Sequence, residues 1–137
     1  MLEQLGQALA AGDVAAMVAM MADDVALRVA VYDTPFEGVQ AAAQILGIVL
    51  DGVVHNIKLI DTIGGDSDAA VLLFSAQVAG YPGRADGLLV TRTDEAGRIV
   101  ELTVFVRPLA ALQALADEMG LRLRDRVAGP GSPHEPA

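Results

Sequence analysis

Arg84 and Asp86 are the residues whose types and spacing most directly suggest chemistry. They lie in the segment GYPGRADGLLV, where a Pro-Gly turn precedes a run of apolar residues. Strand alternation places Arg84, Asp86 and Leu88 on one face, which we expect to line a pocket. A carboxylate between apolar walls holds its proton more tightly than in water, as a general acid or base requires, and Arg84 opposes that effect. Asp86 is therefore the candidate catalytic residue.

The same two residues also have a structural interpretation. An Asp–Arg pair at a strand end can be a solvated ion pair or a contact between subunits, since carboxylates are seldom fully buried. The neighbouring Gly87 would then allow another backbone, such as that of a partner subunit, to approach closely. The sequence leaves both interpretations open.

Other kinds of reactive site have little support. The chain has no Cys, which excludes a Cys nucleophile, disulfides and Cys-based metal sites. It has two His, of which His134 lies in a Pro/Gly-rich tail, and His55 is interpreted as a surface or hydrogen-bonded structural residue. There is no Gly-rich phosphate loop and no metal-ligand cluster, so we predict no cofactor and no metal.

The composition limits the partners. Eighteen acidic residues against 9 basic ones give a net charge of −9, which disfavours nucleic acid and anionic membranes. Hydrophobic residues make up 53% of the chain, yet no apolar run approaches the ~20 residues of a membrane-spanning helix. The N-terminus has no basic region before an apolar block, as a signal peptide would. We expect a cytoplasmic protein whose excess apolar surface is buried in a homodimer.

The elements that would position these residues follow from apolar periodicity and turn residues. We predict helices at 2–11, 14–22, 38–53 and 109–120, and strands at 25–31, 54–63, 69–79, 84–93 and 98–107. This order, α-α-β-α-β-β-β-β-α, indicates a single α+β domain over 1–124 whose helices cover one face of a curved antiparallel sheet. A second subunit would cover the other face, with Ile99 and Phe105. Residues 125–137 are predicted to be disordered.

Three segments in this order resemble the nuclear transport factor 2-like (NTF2-like) superfamily and its SnoaL-like group. They are ALAAGDVAAMVAMMADDVAL, PFEGVQAA and DEAGRIVELTVFVRPLAAL, within residues 5–121. The resemblance implies a cone: a curved antiparallel sheet wrapped by N-terminal helices and a long third helix, with a deep pocket, usually in a dimer. Members include isomerases, epoxide hydrolases, polyketide cyclases, non-catalytic carriers and transport factors. The resemblance therefore implies the fold but does not select one function among these.

The catalytic residues of ketosteroid-isomerase-like members do not carry over. Alignment puts their general base on Val29, their Tyr donor on Leu5, and their acidic donor on Leu88 or Leu89, all of them apolar here. Epoxide-hydrolase-like members have an Arg-x-Asp pair, which this chain spells at 84–86. However, theirs lies on the strand before the hairpin and not on the strand after it.

We expect a pocket that binds an apolar small molecule. Its predicted lining is Val29, Tyr32, Phe74, Arg84, Leu88, Leu102 and Val104. With Asp86 as acid or base, it would catalyse an isomerase, cyclase or hydratase-type reaction. Without such a group, the protein would be a ligand carrier or a dimerisation module. Tyr32 and Asp33 are predicted at the pocket mouth. Arg28 is predicted at an interface or in solvent, and Arg107 on the dimer face or as an anchor for the following helix.

Overall fold

Helices at both ends of the chain flank one antiparallel meander. The computed structural model describes residues 2–64 and 68–127. In chain order, its elements are α1 (Leu2–Ala11), α2 (Val14–Ala19), β1 (Met21–Arg28), β2 (Phe36–Glu37), α3 (Val39–Ile48) followed by a π-helical turn (Val49–Val53), β3 (Val54–Gly64), β4 (Ala69–Val78), β5 (Arg84–Thr93), β6 (Ile99–Arg107) and α4 (Leu109–Val127). Most of the predicted tail, at 128–137 and including His134, lies outside the described residues.

Six strands form one sheet in the order β2-β1-β6-β5-β4-β3. Strands β3 to β6 are the predicted meander, and β1 lies parallel to β6 and antiparallel to the short β2. Pairing along the edge strand β3 is interrupted twice, between His55 and Lys58 and between Leu59 and Asp61. The sheet is curved and does not close, so the predicted α+β fold with a curved, mainly antiparallel sheet is confirmed.

The core lies on one face of the sheet, because alternate side chains of each strand point toward the helices. The buried residues of β4 and β5 are Leu72, Phe74, Ala76, Val78, Ala85, Gly87, Leu89 and Thr91. Leu5 of α1, Ile45 of α3 and Met119 of α4 are buried in the same core cluster. Burial of one large apolar side chain contributes about 1.5–3 kcal/mol, which holds the helices to this face.

The first strand begins earlier than predicted, at Met21 instead of 25, and it ends at Arg28 instead of 31. Asp13 caps α2, accepting a hydrogen bond from the Ala16 amide at 3.1 Å, but α2 ends after six residues. Ile99 of β6 then donates its amide to the Met20 carbonyl at 2.9 Å. Pairing with β6 therefore overrides the helical tendency of the Met-rich segment.

The third and fourth helices also differ from the prediction, and β2 lies in a segment predicted as a loop. α3 ends at Ile48, because the π-helical turn after it contains non-helical Asp51 and Gly52, the latter with φ +89°. α4 continues past Gly120, its predicted end, to Val127. Arg122 supports the extension, donating to Glu118 Oε2 at 3.0 Å. No helix among residues 2–64 and 68–127 has the length and hydropathy that crossing a bilayer requires.

Candidate functional site

The helices and the sheet enclose a cavity of about 60 Å³, called here the interior cavity. Its lining is entirely apolar: Leu9, Met17, Val29, Ala30, Val31, Leu46, Val49, Leu50, Val54, Phe74, Leu89, Val104, Val106, Leu115 and Met119. The walls come from the sheet, from α1 to α3 with the π-helical turn, and from α4. None of these side chains can donate or accept a proton, so the wall itself offers contact but no acid–base group.

Three of the predicted pocket residues meet in this cavity. Val29, Phe74 and Val104 all line it. Val29 directly follows β1, Phe74 lies in β4 and Val104 lies in β6. Leu102 is fully buried in the core, but it is not part of the lining. Alignment left Leu88 and Leu89 as alternatives for the acidic donor of ketosteroid-isomerase-like members. Of the two, Leu89 lines the interior cavity and Leu88 does not.

The predicted orientation of Arg84, Asp86 and Leu88 toward the interior is wrong. The residues between them, Ala85 and Gly87, are buried together with Leu89, whereas Arg84 and Asp86 are exposed. Because side chains alternate strictly along a strand, a one-residue error in the assumed turn moved the whole set to the opposite face. The three residues lie on the outer face of the sheet, away from the helices.

Asp86 pairs with Arg107 and not with Arg84. Arg107 Nη1 donates to Asp86 Oδ2 at 2.8 Å, and the two side chains are 53% and 74% exposed. Arg84 instead donates to the Asn56 carbonyl at 2.7 Å and to Ser75 Oγ at 3.1 and 3.2 Å. Asp86 is thus half of a solvated ion pair between neighbouring strands, as the structural interpretation proposed, although with a different arginine.

The outer face carries an apolar groove of about 380 Å³ beside this ion pair. Leu73, Leu88 and Phe105 stand side by side across β4, β5 and β6, and Ile60 of β3 also lines the groove. Phe105 is 53% exposed and Ile60 is 59% exposed. Ile99, which we predicted on this face, is fully buried in the core. The outer face therefore has an apolar centre in this protomer.

Gly87 has a different role from the predicted approach of a partner's backbone. A Cβ built on Gly87 would lie 2.2 Å from Phe74 Cζ, and Phe74 is its direct partner across β4 and β5. The Phe74 ring thus occupies the space that a side chain at position 87 would need. Gly87 allows this ring to lie against the strand and to line the interior cavity.

A second concave site, called here the mouth cleft, has a volume of about 280 Å³. Its lining is mixed: Arg28, Val29, Ala30, Tyr32, Asp33, Thr103, Val104, Phe105, Val106 and Leu112. Arg28 Nε lies 3.6 Å from Glu101 Oε2, and the Tyr32 ring packs edge-on against Phe36 at 6.0 Å. Tyr32 and Asp33 thus lie where a pocket mouth was predicted, next to the interior cavity.

Groups for cofactor or metal binding are sparse in the part of the chain that the structure describes. It contains no cluster of three or more His, Cys, Asp or Glu side chains suited to a metal ion. The His55 ring is exposed, with Nδ1 at 3.1 Å from the Gly52 carbonyl oxygen. This contact supports the turn before β3, in agreement with the structural interpretation of His55.

The sequence interpretation missed the contribution of α4 to the cavity. Leu115 and Met119 line the interior cavity, and Leu112 lines the mouth cleft. Their spacing predicted one apolar face of a helix, but not what that face would contact. Val106 was missed for a similar reason, since its strand carries apolar residues on both faces.

Solved structures of other proteins share this fold. The chain is similar to a steroid delta-isomerase from Pseudomonas aeruginosa, with a TM-score of 0.81 and 31% identity over 93% of this chain and 92% of that one. An uncharacterised bacterial protein with a cystatin-like fold, from Silicibacter pomeroyi, matches with a TM-score of 0.81 and 25% identity over 89% and 84%. The epoxide hydrolase/cyclase-like enzyme SalBIII, of pyran ring formation in salinomycin, matches with a TM-score of 0.64 and 19% identity over 80% and 89%.

No protein-family model and no curated protein sequence matches the chain. The match to the steroid delta-isomerase extends over nearly the whole length of both proteins, and the two further structures share the fold. The segments that resembled this superfamily in the sequence form the helices and strands around the interior cavity. The chain therefore belongs to the NTF2-like superfamily.

Proposed function

We propose that this protein is a homodimeric binder of an apolar small molecule, part of which it holds in the interior cavity, without acid–base catalysis by the cavity wall. The observation that carries the proposal is the lining, in which every side chain is apolar. Val29 aligns with the general base of ketosteroid-isomerase-like members. Their acidic donor aligns with Leu88 or Leu89, and both are apolar. Apolar surface removed from water contributes roughly 25 cal/mol per Å², so this lining favours an apolar ligand.

An isomerase, cyclase or hydratase-type reaction is the second candidate function. It is favoured by the 31% identity to a protein named as a steroid delta-isomerase. Such a reaction needs a proton donor or acceptor within about 3 Å of the reacting atom. Asp86, the predicted catalytic residue, is exposed on the opposite face of the sheet. This position favours the carrier over the enzyme.

Native mass spectrometry of the purified protein is the first test, since it reports the subunit mass and any co-purified molecule together. Titration with 1-octanol and with a steroid, followed by NMR, then measures binding and conversion in one sample. We expect saturable binding and no conversion, with binding unchanged in Asp86→Asn. Conversion that is lost in Asp86→Asn would establish the enzyme instead.

A pair of variants on neighbouring positions locates the bound molecule. Leu89→Phe replaces a leucine side chain of the interior cavity by a larger phenyl ring, whereas Leu88→Phe puts the same phenyl ring on the outer face. We expect the first to abolish 1-octanol binding and the second to leave it unchanged. Val29→Phe is the alternative if Leu89→Phe does not fold. Equal binding by the cavity variant and the outer-face variant would overturn the proposal.

The homodimer is proposed through the outer face of the sheet. The row of half-buried Leu73 and Leu88 with exposed Phe105 forms an apolar centre, and Arg107 with Asp86 lies beside it. An apolar centre with a charged rim is the usual composition of a subunit interface. The same surface gives the excess apolar residues of the chain a place to be buried. Cytoplasmic localisation stays a prediction from the sequence.

A further inference from the structure

We propose that the interior cavity and the mouth cleft form one ligand site, which takes an amphiphile with an aliphatic end and a head group that donates hydrogen bonds, above all a protonated amine. In this site, α4 is the movable wall. The inference rests on the proposed binding function, and it adds the class of ligand and the route by which the ligand enters.

The two voids are adjacent and share four wall residues, Val29, Ala30, Val104 and Val106. An apolar cavity of about 150 Å³ binds benzene. The interior cavity, at about 60 Å³, therefore accommodates only part of such a molecule. The mouth cleft offers about 280 Å³ directly beside it. A ligand that fills both must be apolar at the inner end and polar at the outer end, because only the cleft has polar walls.

The charges around the cleft select the head group. Arg28 shares Glu101 with Arg92, which also lies 3.9 Å from Asp68, so the charges of these two arginines and two carboxylates cancel. Asp33 lines the cleft and has no ion pair or hydrogen bond with any described residue. Its carboxylate is thus a free acceptor, and it would attract an ammonium group and repel a carboxylate. The net charge of −9 acts in the same direction over a longer range.

The helix α4 contributes wall residues to both voids along its length. Leu112 lines the cleft, and Leu115 and Met119, one and two turns further on, line the cavity. Arg122 Nη1 ties the helix to the Asp51 carbonyl at 2.8 Å, in the π-helical turn on the far side of the cavity. Because α4 lines both voids, its displacement would widen both at once and admit a chain-like molecule.

Three probes with the same chain, octylamine, 1-octanol and octanoate, test the head group by isothermal titration at low salt. We expect octylamine to bind at least about tenfold more tightly than octanoate, as one charge-assisted hydrogen bond provides. Asp33→Asn should remove most of this preference. Asp24→Asn is the matched control, because Asp24 is an exposed carboxylate on β1 outside the cleft, and it should leave the preference in place.

The outcomes separate this inference from the proposed function. Equal binding of all three probes, abolished by Leu89→Phe, would overturn the head-group preference and leave the apolar site standing. An equal effect of Asp24→Asn and Asp33→Asn would also overturn it, since general charge attraction would then explain the selectivity. Absence of saturable binding by every probe would overturn both proposals.

A reversible crosslink tests the movement of α4. An ideal Cβ on Gly80 lies 3.8 Å from Ala114 Cβ, which is the mean Cβ separation of a disulfide, about 3.8 Å. Because the chain has no Cys, the Gly80→Cys/Ala114→Cys double variant has a single thiol pair. We expect the oxidised form to lose octylamine binding and the reduced form to recover it. Gly80→Cys alone controls for strain at φ +85°. Equal binding by the oxidised and reduced forms would overturn the role of α4.

Discussion

At the scale of single residues, the contact between Gly87 and Phe74 determines the shape of the cavity wall. The ring of Phe74 fills the space beside Gly87, and it would lie 2.2 Å from a Cβ at that position. Real Cβ atoms do not approach a ring carbon so closely, so a larger residue must displace the ring. Such displacement would either close the interior cavity or separate β4 from β5.

Gly87→Ala should lower the free energy of unfolding by about 1–3 kcal/mol, the typical cost of overpacking a core. Gly47→Ala is the matched control, because a Cβ at Gly47 has no neighbour within 4 Å and Gly47 lies in α3. This control should gain up to about 1 kcal/mol, because Ala is the better helix former. Urea denaturation of both variants measures the difference, and equal effects of the two substitutions would refute this account of Gly87.

The identity of the site residues was only partly predictable at this scale. Val29, Phe74 and Val104 were predicted as pocket residues, and they line the cavity. Asp86 was assigned to the wrong face, because the phase of a strand depends on the number of turn residues before it. In the segment GRADGLLV, Leu88 and Leu89 are equally apolar, so composition cannot decide which of them points inward.

At the scale of elements, α4 is part of the wall of the interior cavity. Ala111, Leu115 and Met119 are buried, whereas Leu109 and Leu121 of the same helix are 79% and 52% exposed. The buried positions share one helical face. Leu115 and Met119 of this face also line the interior cavity, so the same face serves both core packing and the cavity wall.

Leu115→Ala should lower the free energy of unfolding by about 2–5 kcal/mol, the range for a buried Leu replaced by Ala. Leu121→Ala, on the same helix, should change it by no more than about 0.5 kcal/mol. Because the first variant enlarges an apolar cavity, benzene should raise its melting temperature and leave that of the second unchanged. A thermal denaturation series with and without benzene measures both effects, and benzene stabilisation of Leu121→Ala alone would contradict this role of Leu115.

The strands of the meander were the most predictable elements. Turn residues flank these strands on both sides, and the range predicted for β5 matches the observed strand. The segment 14–31 was less predictable, because its helix ends where pairing with a distant strand begins. That pairing joins Met21 to Ile99, and no local sequence pattern predicts a contact between residues so far apart in the chain. The extension of α4 past Gly120 was missed because Gly is a common helix end, while the Arg122–Glu118 pair supports continuation.

At the scale of the whole molecule, the two faces of the sheet differ in how they are covered. The inner face is covered by helices of the same chain. The outer face keeps an apolar centre in which Leu73 and Leu88 are half-buried and Phe105 is exposed. Monomeric proteins rarely expose an extended apolar patch. The proposed dimer would remove this surface from water.

Phe105→Glu should convert the dimer to a monomer, because it places two uncompensated charges in an apolar interface. Leu121→Glu is the control, since the two parent side chains have nearly the same exposure, 53% and 52%. Sedimentation velocity over a range of concentrations distinguishes the two states. A Phe105→Glu variant that sediments like the parent protein would exclude the outer face as the interface.

The interrupted pairing of β3 has a consequence for how copies of this chain meet. β3 is the last strand on its side of the sheet, and its two register shifts bend the row of backbone groups that it presents. A bent row is a poor template for a strand of another molecule. Strand-by-strand growth, which would continue without limit, is thereby discouraged at this side of the sheet. Association through the outer face of the sheet, by contrast, ends once two copies have covered each other.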